Sequence, residues 1–319
     1  MLPAKDKYLP WQSLLDFLEK RGALFSISGL KGSSPAYVLS QVAPKFSAPI
    51  LFLTLDEARA ERISREIAFF ANPTQKILFY PSWDAKLFEK ISPSPEVLGQ
   101  RWEVRHHLST AAAPSWIISS LPAALQKVPP REVTRRFAIL IFPSQEFQRD
   151  DFAAQLEGMG YTRVHVVTQK GEFAVRGYLM DIFSPANTHP LRIEFFGDRI
   201  DSVQTFDPDS QRSLLDLEKA VILPVKEALF FPEFQEQAVQ KLGQAMGEEG
   251  TPQESAQEIQ EKIRQGISFP GVDFYLSLFY PVLESFLDYL PPDTLLFLDD
   301  PPELEERLTQ TWAETQEGW

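Results

Sequence analysis

Hydrophobic positions along the first 128 residues predict short strands that alternate with helices. Short apolar runs typical of buried strands occupy 23–28, 49–55, 77–80 and 116–119. Helices are predicted over 14–21, which Ser13 could cap, and over 56–70 and 121–126; in 56–70 the apolar residues Ala60, Ile63 and Ile67 recur at helical spacing. Strands that alternate with helices indicate a parallel sheet with both faces covered, so the predicted fold class is α/β.

The stretch Leu191–Phe196 shows a different pattern, a strict alternation of side-chain type. Alternate residues of a strand point to opposite faces. The residues predicted to face a core are Leu191, Ile193 and Phe195. The residues predicted to face solvent are Arg192, Glu194 and Phe196. Since arginine and aromatic residues are enriched at protein interfaces, this face is a candidate docking surface, with ordinary exposed strand positions as the alternative.

A turn and a returning strand follow this alternation. Gly197-Asp198 supplies the turn, and apolar residues at Ile200, Val203 and Phe206 mark the second strand of an irregular hairpin. The change of pattern begins at Val128-Pro129-Pro130-Arg131, where we place a domain boundary. From there to about residue 207, strands predominate, with one helix near 150–159.

The last hundred residues return to helices and one strand. They predict a surface pair of helices over 233–246 and 255–265, then a strand over 294–298 and a helix over 302–311. That strand is expected to rejoin the first sheet, which makes the first domain discontinuous. The predicted domains are therefore 1–128 (the first part of the parallel-sheet domain), 129–214 (an inserted α+β domain) and 215–319 (a helical segment and the remainder of the first domain).

Composition narrows the classes of function. The chain has 319 residues and a net charge of −13, which opposes binding to a phosphate backbone. It has no cysteine, which excludes disulfides, thiolate catalysis and cysteine-ligated zinc. Neither a secretory leader nor an apolar run of membrane-spanning length is visible, so a cytoplasmic location without membrane contact is expected.

One loop has the position of a phosphate-binding loop but lacks its chemistry. The pattern GxxxxGK[ST] aligns Gly29 with the first glycine, while Ser34, Pro35 and Ala36 replace the second glycine, the lysine and the hydroxyl residue. Proline also removes a backbone donor. A degenerate turn kept for packing is therefore the favoured interpretation, and ATP binding is the alternative.

Three other polar groups have simple structural interpretations. Asp299-Asp300 follows an apolar strand and favours helix capping over magnesium binding. His106-His107 are neighbours whose side chains diverge on a helix, which makes a shared metal unfavourable. The basic residues at the domain boundary are interpreted as a solvated linker, and they are Arg131, Arg135 and Arg136.

Several runs between 171 and 214 resemble one family. They are Gly171-Glu172-Phe173-Ala174-Val175-Arg176-Gly177, Asp181-Ile182-Phe183, Arg192–Asp198, Ile200-Asp201-Ser202, Phe206-Asp207 and Gln211-Arg212-Ser213. They resemble the domain shared by the bacterial transcription-repair coupling factors and the excinuclease protein UvrB, which docks on the damage-sensing protein UvrA in nucleotide excision repair. WDAKLFEKISPSPEVLGQR and FLDYLPPDTLLFLDD resemble the amino-terminal region of the coupling factors, where the helicase-like ATPase motifs are degenerate.

The resemblance implies a role for named residues. Arg176, Arg192 and Phe196 are expected to contact UvrA, with possible support from Glu172, Glu194 and Asp198. An arginine fork can hold a carboxylate through two hydrogen bonds while a flat aromatic ring fills an apolar recess. No catalytic residue and no metal ligand is expected in this chain.

The resemblance also implies a wider context. The chain is expected to be an amino-terminal fragment, a non-catalytic recruiting module with no cofactor and with weak or no DNA binding of its own. ATP, magnesium, RNA polymerase and double-stranded DNA are expected to engage other domains of a longer translocase. The alternative is a UvrB-like ATP-dependent protein that handles damaged DNA directly.

Overall fold

Two sheets organise the part of the chain that the structure describes. The computed structural model describes residues 24, 26–85, 91–110, 115–245 and 253–317, so the helix predicted over 14–21 lies outside it. In chain order, the strands are β1 Ile50–Thr54, β2 Lys76–Tyr80, β3 Ser115–Ser120, β4 Lys127–Val128, β5 Ile139–Ile141, β6 Thr162–Arg163, β7 Glu172–Arg176, β8 Leu179–Ile182, β9 Leu191–Phe196, β10 Arg199–Phe206, β11 Ser213–Asp216, β12 Ala220–Ile222, β13 Glu284–Ser285 and β14 Leu295–Leu298.

The helices follow the same order. They are α1 Ser34–Val42, α2 Glu57–Phe70, α3 Pro95–Thr110, α4 Leu121–Leu125, α5 Arg131–Phe137, α6 Arg149–Gly158, α7 Pro232–Ala245, α8 Gln253–Arg264, α9 Leu276–Phe279 and α10 Pro301–Glu317. Short 3-10 helices cover Ala43–Lys45, Val272–Tyr275 and Phe286–Tyr289.

The first sheet is parallel and is built from distant parts of the sequence. Its strand order is β14-β1-β3-β2, and every neighbouring pair runs parallel. In β1, Leu51 lies opposite Leu296 on one side and Ile117 on the other. The predicted α/β class is therefore confirmed, and so is the return of the last strand to the first sheet.

Helix α2 shows how local sequence builds this domain. The Asp56 side chain caps the helix by accepting a hydrogen bond from the Arg59 backbone N–H at 2.8 Å. Ala60, Ile63 and Ile67 recur at helical spacing, and all three are buried against the sheet. Helices α1 and α2 cover one face of the sheet, while α3, α4 and α10 cover the other, so both faces are closed as predicted.

The second sheet has six strands in the order β11-β10-β9-β8-β7-β6. Its pairs are antiparallel except β6 with β7. One face packs on α6, where Phe152 and Leu156 join the core. The predicted hairpin is β9–β10, and its irregularity is a shift of register between Ile200 and Ser202. Strand β12 returns beside β5, so the start and end of this domain lie together.

A buried ion cluster joins the two domains, and we define it as Arg101, Arg105 and Glu227. Both arginines lie on α3, and the carboxylate lies just after β12. Arg101 Nε lies 3.1 Å and Arg105 Nη2 lies 2.7 Å from Glu227 Oε1. All three side chains are completely buried. Because an unpaired buried charge is strongly unfavourable, this contact fixes the seam between the domains.

The predicted helical pair is more buried than expected. In α7, the buried residues are Phe234, Ala238 and Leu242. Together with Ile263 of α8, Phe234 and Ala238 join a core that includes Trp102. These helices therefore form a third packed cluster instead of lying on the surface, because their apolar stripes match those of α3 and α5.

The strand predicted over 23–28 was wrong for the residues that the structure describes. Residues 24 and 26–28 have no strand conformation and are exposed, while Ala23 and Phe25 lie outside the described residues. A strand needs a neighbour to satisfy its backbone hydrogen bonds, and sequence preference alone does not supply one.

The basic residues at the domain boundary do not form a solvated linker. Residues Arg131–Phe137 form helix α5. Arg131 Nη2 donates to the Asp288 carbonyl oxygen at 2.6 Å, and Arg135 Nε donates to the Ser109 carbonyl oxygen at 3.0 Å. The linker interpretation was wrong because these residues form a helix, in which Arg131 and Arg135 donate to carbonyl groups of neighbouring elements and Arg136 pairs with Glu233.

Candidate protein-interaction surface

The six-stranded sheet has one face away from α6, which we call the outer face. Its strand residues include Ala174, Arg176, Leu179, Asp181, Arg192, Glu194, Phe196, Arg199, Ser202 and Gln204. The alternation in β9 is as predicted, since Leu191, Ile193 and Phe195 are buried in the core. Near Phe206 the outer face is covered by a small apolar cluster, whereas at the opposite end it is open.

Two hairpin tips form the open end of the outer face. The β7–β8 turn contains Gly177 and the β9–β10 turn contains Gly197, with φ values of 61° and 65°. Glycine suits these tight turns because a side chain is rarely tolerated at positive φ. The Phe195 backbone N–H donates to the Tyr178 carbonyl oxygen at 2.8 Å, so the two tips lie side by side.

Residues 147–149, at the start of α6, brace both tips. Arg149 Nη1 donates to the Gly177 carbonyl oxygen at 2.6 Å. Gln148 Nε2 donates to Asp198 Oδ2 at 3.0 Å, and the Phe147 N–H donates to the Asp198 carbonyl oxygen at 2.7 Å. Each turn is thus held by hydrogen bonds from outside its own hairpin, which limits its movement.

Asp181 organises the arginines of the outer face. Its carboxylate is fully buried, and it receives hydrogen bonds from both Arg176 and Arg192. Arg192 lies directly opposite Asp181 in the ladder and donates from Nε at 2.8 Å and from Nη2 at 3.0 Å. This two-point contact raises the pKa of the Arg192 guanidinium above its usual value. Two arginines from different strands thus share one buried carboxylate.

The predicted contact residues differ in how far they reach solvent. Phe196 is 77% exposed and the Arg176 side chain is 41% exposed. The Arg192 side chain is only 12% exposed. Its Nη1 donates to the Gln211 carbonyl oxygen at 3.0 Å, and its guanidinium carbon lies 4.4 Å from the centre of the Phe206 ring. Arg192 is therefore on the predicted face but is engaged within the chain.

The three predicted supporting residues lie in different places. Glu194 is half-buried on the outer face, and Asp198 is exposed at the β9–β10 tip. Glu172 is at the other end of β7 from Arg176, where its Oε2 accepts hydrogen bonds from the backbone N–H groups of Thr168 and Gln169, each at 2.8 Å. The structure thus places Glu194 and Asp198 on the side of Arg176 and Phe196, and Glu172 away from them.

The sequence pattern does not single out Asp181 or Tyr178 as residues of this surface. Asp181 occurs only within a family motif, although the pairing of β8 with β9 sets it opposite Arg192. Tyr178 was missed because it lies in a turn, outside the strand alternation. It is 62% exposed and adds a second aromatic ring at the open end of the outer face.

One family model and several curated relatives match this chain. A family model described as the UvrB interaction domain matches residues 139–227, from β5 to just beyond β12. The chain is 31% identical over 301 residues to the transcription-repair-coupling factor of Bacillus subtilis (strain 168), covering 90% of this chain and 25% of the relative. The corresponding protein of Myxococcus xanthus is 28% identical over 317 residues, which cover 96% of this chain and 26% of that relative. The chain is homologous to the transcription-repair-coupling factors.

The homology covers most of this chain but a small part of its relatives. The coupling factor of Escherichia coli (strain K12) is 27% identical over 278 residues, which are 87% of this chain and 24% of the relative. The chain therefore spans about a quarter of the length of the curated coupling factors that it matches. The resemblance stated from the sequence is confirmed, and the domain limits predicted at 128/129 and 214/215 stay predictions.

The predicted degenerate loop lies outside the matched domain. Gly29 has a φ of 84° in an exposed loop before α1. The Ser34 hydroxyl donates to the Lys31 carbonyl oxygen at 2.7 Å, and Pro35 lies in the first turn of α1. Ala36 is fully buried in the core beside β1. Ala36, which the sequence pattern aligns with the hydroxyl residue of a P-loop, thus has its methyl group packed in the core.

Asp299 has a role that neither sequence interpretation anticipated. It pairs with Arg59 of α2, with 2.5 Å between Nε and Oδ2 and 2.9 Å between Nη2 and Oδ1. This ion pair connects the end of β14 to α2. The side chain of Asp299 is largely buried. Asp300 contributes its carbonyl oxygen, which accepts from the Leu304 N–H at the start of α10 at 3.1 Å.

The remaining candidates from the sequence are the histidine pair and the acidic side chains. His106 and His107 are half-buried on α3, and burial together with the nearby Lys76 lowers the pKa of His106. In the ranges that the structure covers, no group of three or more histidine, aspartate or glutamate side chains is arranged to hold a metal ion. None of the described helices is both long and apolar enough to cross a bilayer.

Proposed function

We propose that this chain is a non-catalytic module that binds UvrA through the open end of its outer face. The observation that carries the proposal is the pair of braced hairpin tips, which lie side by side and expose Arg176 and Phe196 at the same end of the outer face, within the matched UvrB interaction domain. Arginine and aromatic residues are enriched at protein interfaces, and arginine is among the residue types that most often dominate the binding energy.

Rigidity of the tips supports this assignment. A surface that is already ordered loses little conformational entropy on binding, so its contacts contribute more to affinity. Arg149 and Gln148 hold the tips from outside, and Asp181 holds Arg176 and Arg192 from below. Arg176 and Phe196 are the direct contacts, Arg192 contributes from a largely buried position, and Glu194 and Asp198 flank them.

The wider role of the module depends on the longer protein. We propose that a coupling-factor parent uses this surface to recruit UvrA to stalled RNA polymerase, with ATP-driven movement on double-stranded DNA assigned to domains outside this chain. The net charge of −13 supports weak or no DNA binding by the chain itself.

Loss of the exposed ring is expected to weaken UvrA binding. Phe196→Ala should cost more than about 1 kcal/mol of binding free energy, or roughly a fivefold rise in Kd. Arg176→Ala and Arg192→Ala should have losses of similar size, because each removes an arm of the arginine cluster. Calorimetric titration of the 319-residue chain with UvrA measures these changes.

A second exposed phenylalanine supplies the matched control. Phe69 lies on α2 of the parallel-sheet domain and is 82% exposed. Phe69→Ala removes the same ring and should leave the Kd within about twofold of the unaltered chain. Equal affinities for the Phe196 and Phe69 variants would reject the outer face as the UvrA site.

Nucleotide binding is expected to be absent at the Gly29 loop. Pro35 has no N–H, the Ser34 hydroxyl is already used on Lys31, and Ala36 is packed in the core. Titration with Mg-ATP should therefore give no heat of binding. A clear micromolar isotherm, abolished by substitution in residues 29–34, would instead support a UvrB-like ATPase.

A further inference from the structure

A buried carboxylate under an exposed arginine is the feature of the outer face that the proposed contacts leave unexplained. Asp181 is 1% exposed, and the sheet places it opposite Ala174 on one side and Arg192 on the other. Ala174 has only a methyl group, so the Arg176 side chain, two residues further along β7, reaches the carboxylate diagonally. The carboxylate is therefore shared by arginines from two different strands.

The two arginines bound to Asp181 are not equivalent. Arg192 donates hydrogen bonds from Nε and Nη2 to the Asp181 carboxylate and from Nη1 to the Gln211 carbonyl oxygen. Its guanidinium group also lies over the Phe206 ring. Arg176 uses Nη2 on Asp181, and no other hydrogen bond of its guanidinium is found among the described residues. One arginine is thus locked from several sides, and the other keeps donors directed away from Asp181.

We propose that Asp181 is a positioning residue for the UvrA contact, with Arg192 as the buried arm that fixes the carboxylate and Arg176 as the arm that it presents. This role rests on the proposed function of the outer face. A free arginine side chain samples many rotamers and loses that freedom on binding. Asp181 removes much of this loss in advance, because it holds the Arg176 guanidinium by one edge.

A merely structural role for Asp181 predicts a different pattern of results. A structural counterion would support the whole sheet, so its loss would weaken every contact of the outer face alike. A positioning residue acts through Arg176, so its loss should have little effect once Arg176 has been removed. Coupling to Arg176, and not to Phe196, distinguishes the two roles.

Asp181→Asn is the variant that tests the positioning role. Asparagine keeps the shape of the side chain and removes the charge that both arginines share. We expect its Kd for UvrA to rise about fivefold in the full chain, as for loss of an interface anchor. In the Arg176→Ala background, the same substitution should change the Kd by less than about twofold.

Phe196→Ala supplies the matched background. Asp181 is held by the two arginines and not by the exposed Phe196 ring. The fold increases in Kd caused by Asp181→Asn and by Phe196→Ala should therefore multiply in the double variant, to within about twofold. Arg192→Lys is a second variant that keeps the charge balance if Asp181→Asn fails to fold. It should show the same coupling to Arg176→Ala, because lysine cannot hold the carboxylate at two points.

The outcomes separate this inference from the proposed function. If the unaltered chain does not bind UvrA, or if Phe196→Ala and Arg176→Ala bind normally, the proposed function fails and the positioning role fails with it. If those two variants lose affinity while folded Asp181→Asn and Arg192→Lys bind normally, only the positioning role is rejected. Losses that multiply equally in the Arg176→Ala and Phe196→Ala backgrounds also reject it.

Discussion

Glu227→Ala is expected to lower the free energy of unfolding by about 3–5 kcal/mol, the cost typical of removing one partner from a buried ion pair. The substitution leaves Arg101 and Arg105 buried without their counter-charge. Arg101 retains the Pro81 carbonyl oxygen at 2.8 Å and Gln126 Oε1 at 2.9 Å, but neither is charged. The loss is therefore electrostatic and is only partly compensated by the remaining hydrogen bonds.

The backbone at residue 227 is held independently of its side chain. Tyr280 Oη donates to the Glu227 carbonyl oxygen at 2.7 Å, and the Glu227 N–H donates to Asp273 Oδ1 at 2.9 Å. Burial raises the pKa of the Asp273 carboxyl, which indicates how unfavourable charge is at this seam. Glu227→Gln keeps the shape but not the charge, so it should also be strongly destabilising.

Glu233→Ala is the matched control for this prediction. Glu233 pairs with Arg136 at 2.6 Å, yet both side chains are substantially exposed. Exposed pairs of this kind contribute about 0.2–1 kcal/mol to stability. The free energy of unfolding of the control should therefore be within about 1 kcal/mol of that of the unaltered chain. Denaturant titration followed by tryptophan fluorescence measures both variants, since Trp83 and Trp102 lie at the seam. A Glu227→Ala loss no larger than that of Glu233→Ala would contradict the assignment.

Local sequence patterns predicted the elements whose burial depends on neighbours along the chain. The three- and four-residue spacing of Ala60, Ile63 and Ile67 identified α2, and the alternation in β9 identified the buried and outward sides. The same alternation placed Phe196 on the exposed side. These predictions hold because one apolar face is enough to orient a helix or a strand.

Contacts between distant residues were not predictable in this way. Arg101 and Glu227 are buried together although 126 positions separate them in the sequence. Taken alone, each residue would be predicted to lie exposed on the surface, as arginine and glutamate usually do. Arg192 was assigned to a solvent-facing side, and the alternation was right about the face. It could not indicate that Asp181 and Phe206 would cover most of the guanidinium. Burial of a charged side chain depends on what packs over it, which is a property of the tertiary fold.

Helix α3 must approach the inserted domain closely for the seam to form. Gly99 lies on the same helix as Arg101, and a Cβ atom at Gly99 would be 2.5 Å from the Pro185 carbonyl carbon and 2.7 Å from its oxygen. Pro185 follows β8, the strand that carries Asp181. The absence of a side chain at Gly99 thus allows α3 to lie directly against the backbone of the UvrB interaction domain.

Gly99→Ala is expected to destabilise the chain although alanine favours helix formation. The substitution gains about 1 kcal/mol of helix propensity. The new methyl group meets backbone atoms that cannot rotate away, and such overpacking costs about 1–3 kcal/mol or occasionally more. At 2.5 Å the clash lies well inside van der Waals contact, so the upper part of that range applies and the net effect is a loss of stability.

Gly243→Ala separates the clash from the propensity. Gly243 lies in helix α7, and its added Cβ would meet only the Gln260 side-chain amide nitrogen at 3.3 Å, which is the movable end of a flexible side chain. This variant should be neutral or more stable by up to about 1 kcal/mol. Denaturant unfolding measures the change in the free energy of unfolding for each variant. Opposite signs of this change would establish that the lack of a side chain at Gly99 is needed for the close contact between the domains. If both variants are stabilised alike, α3 can move away from Pro185 at little cost, and the close approach is not what holds the domains together.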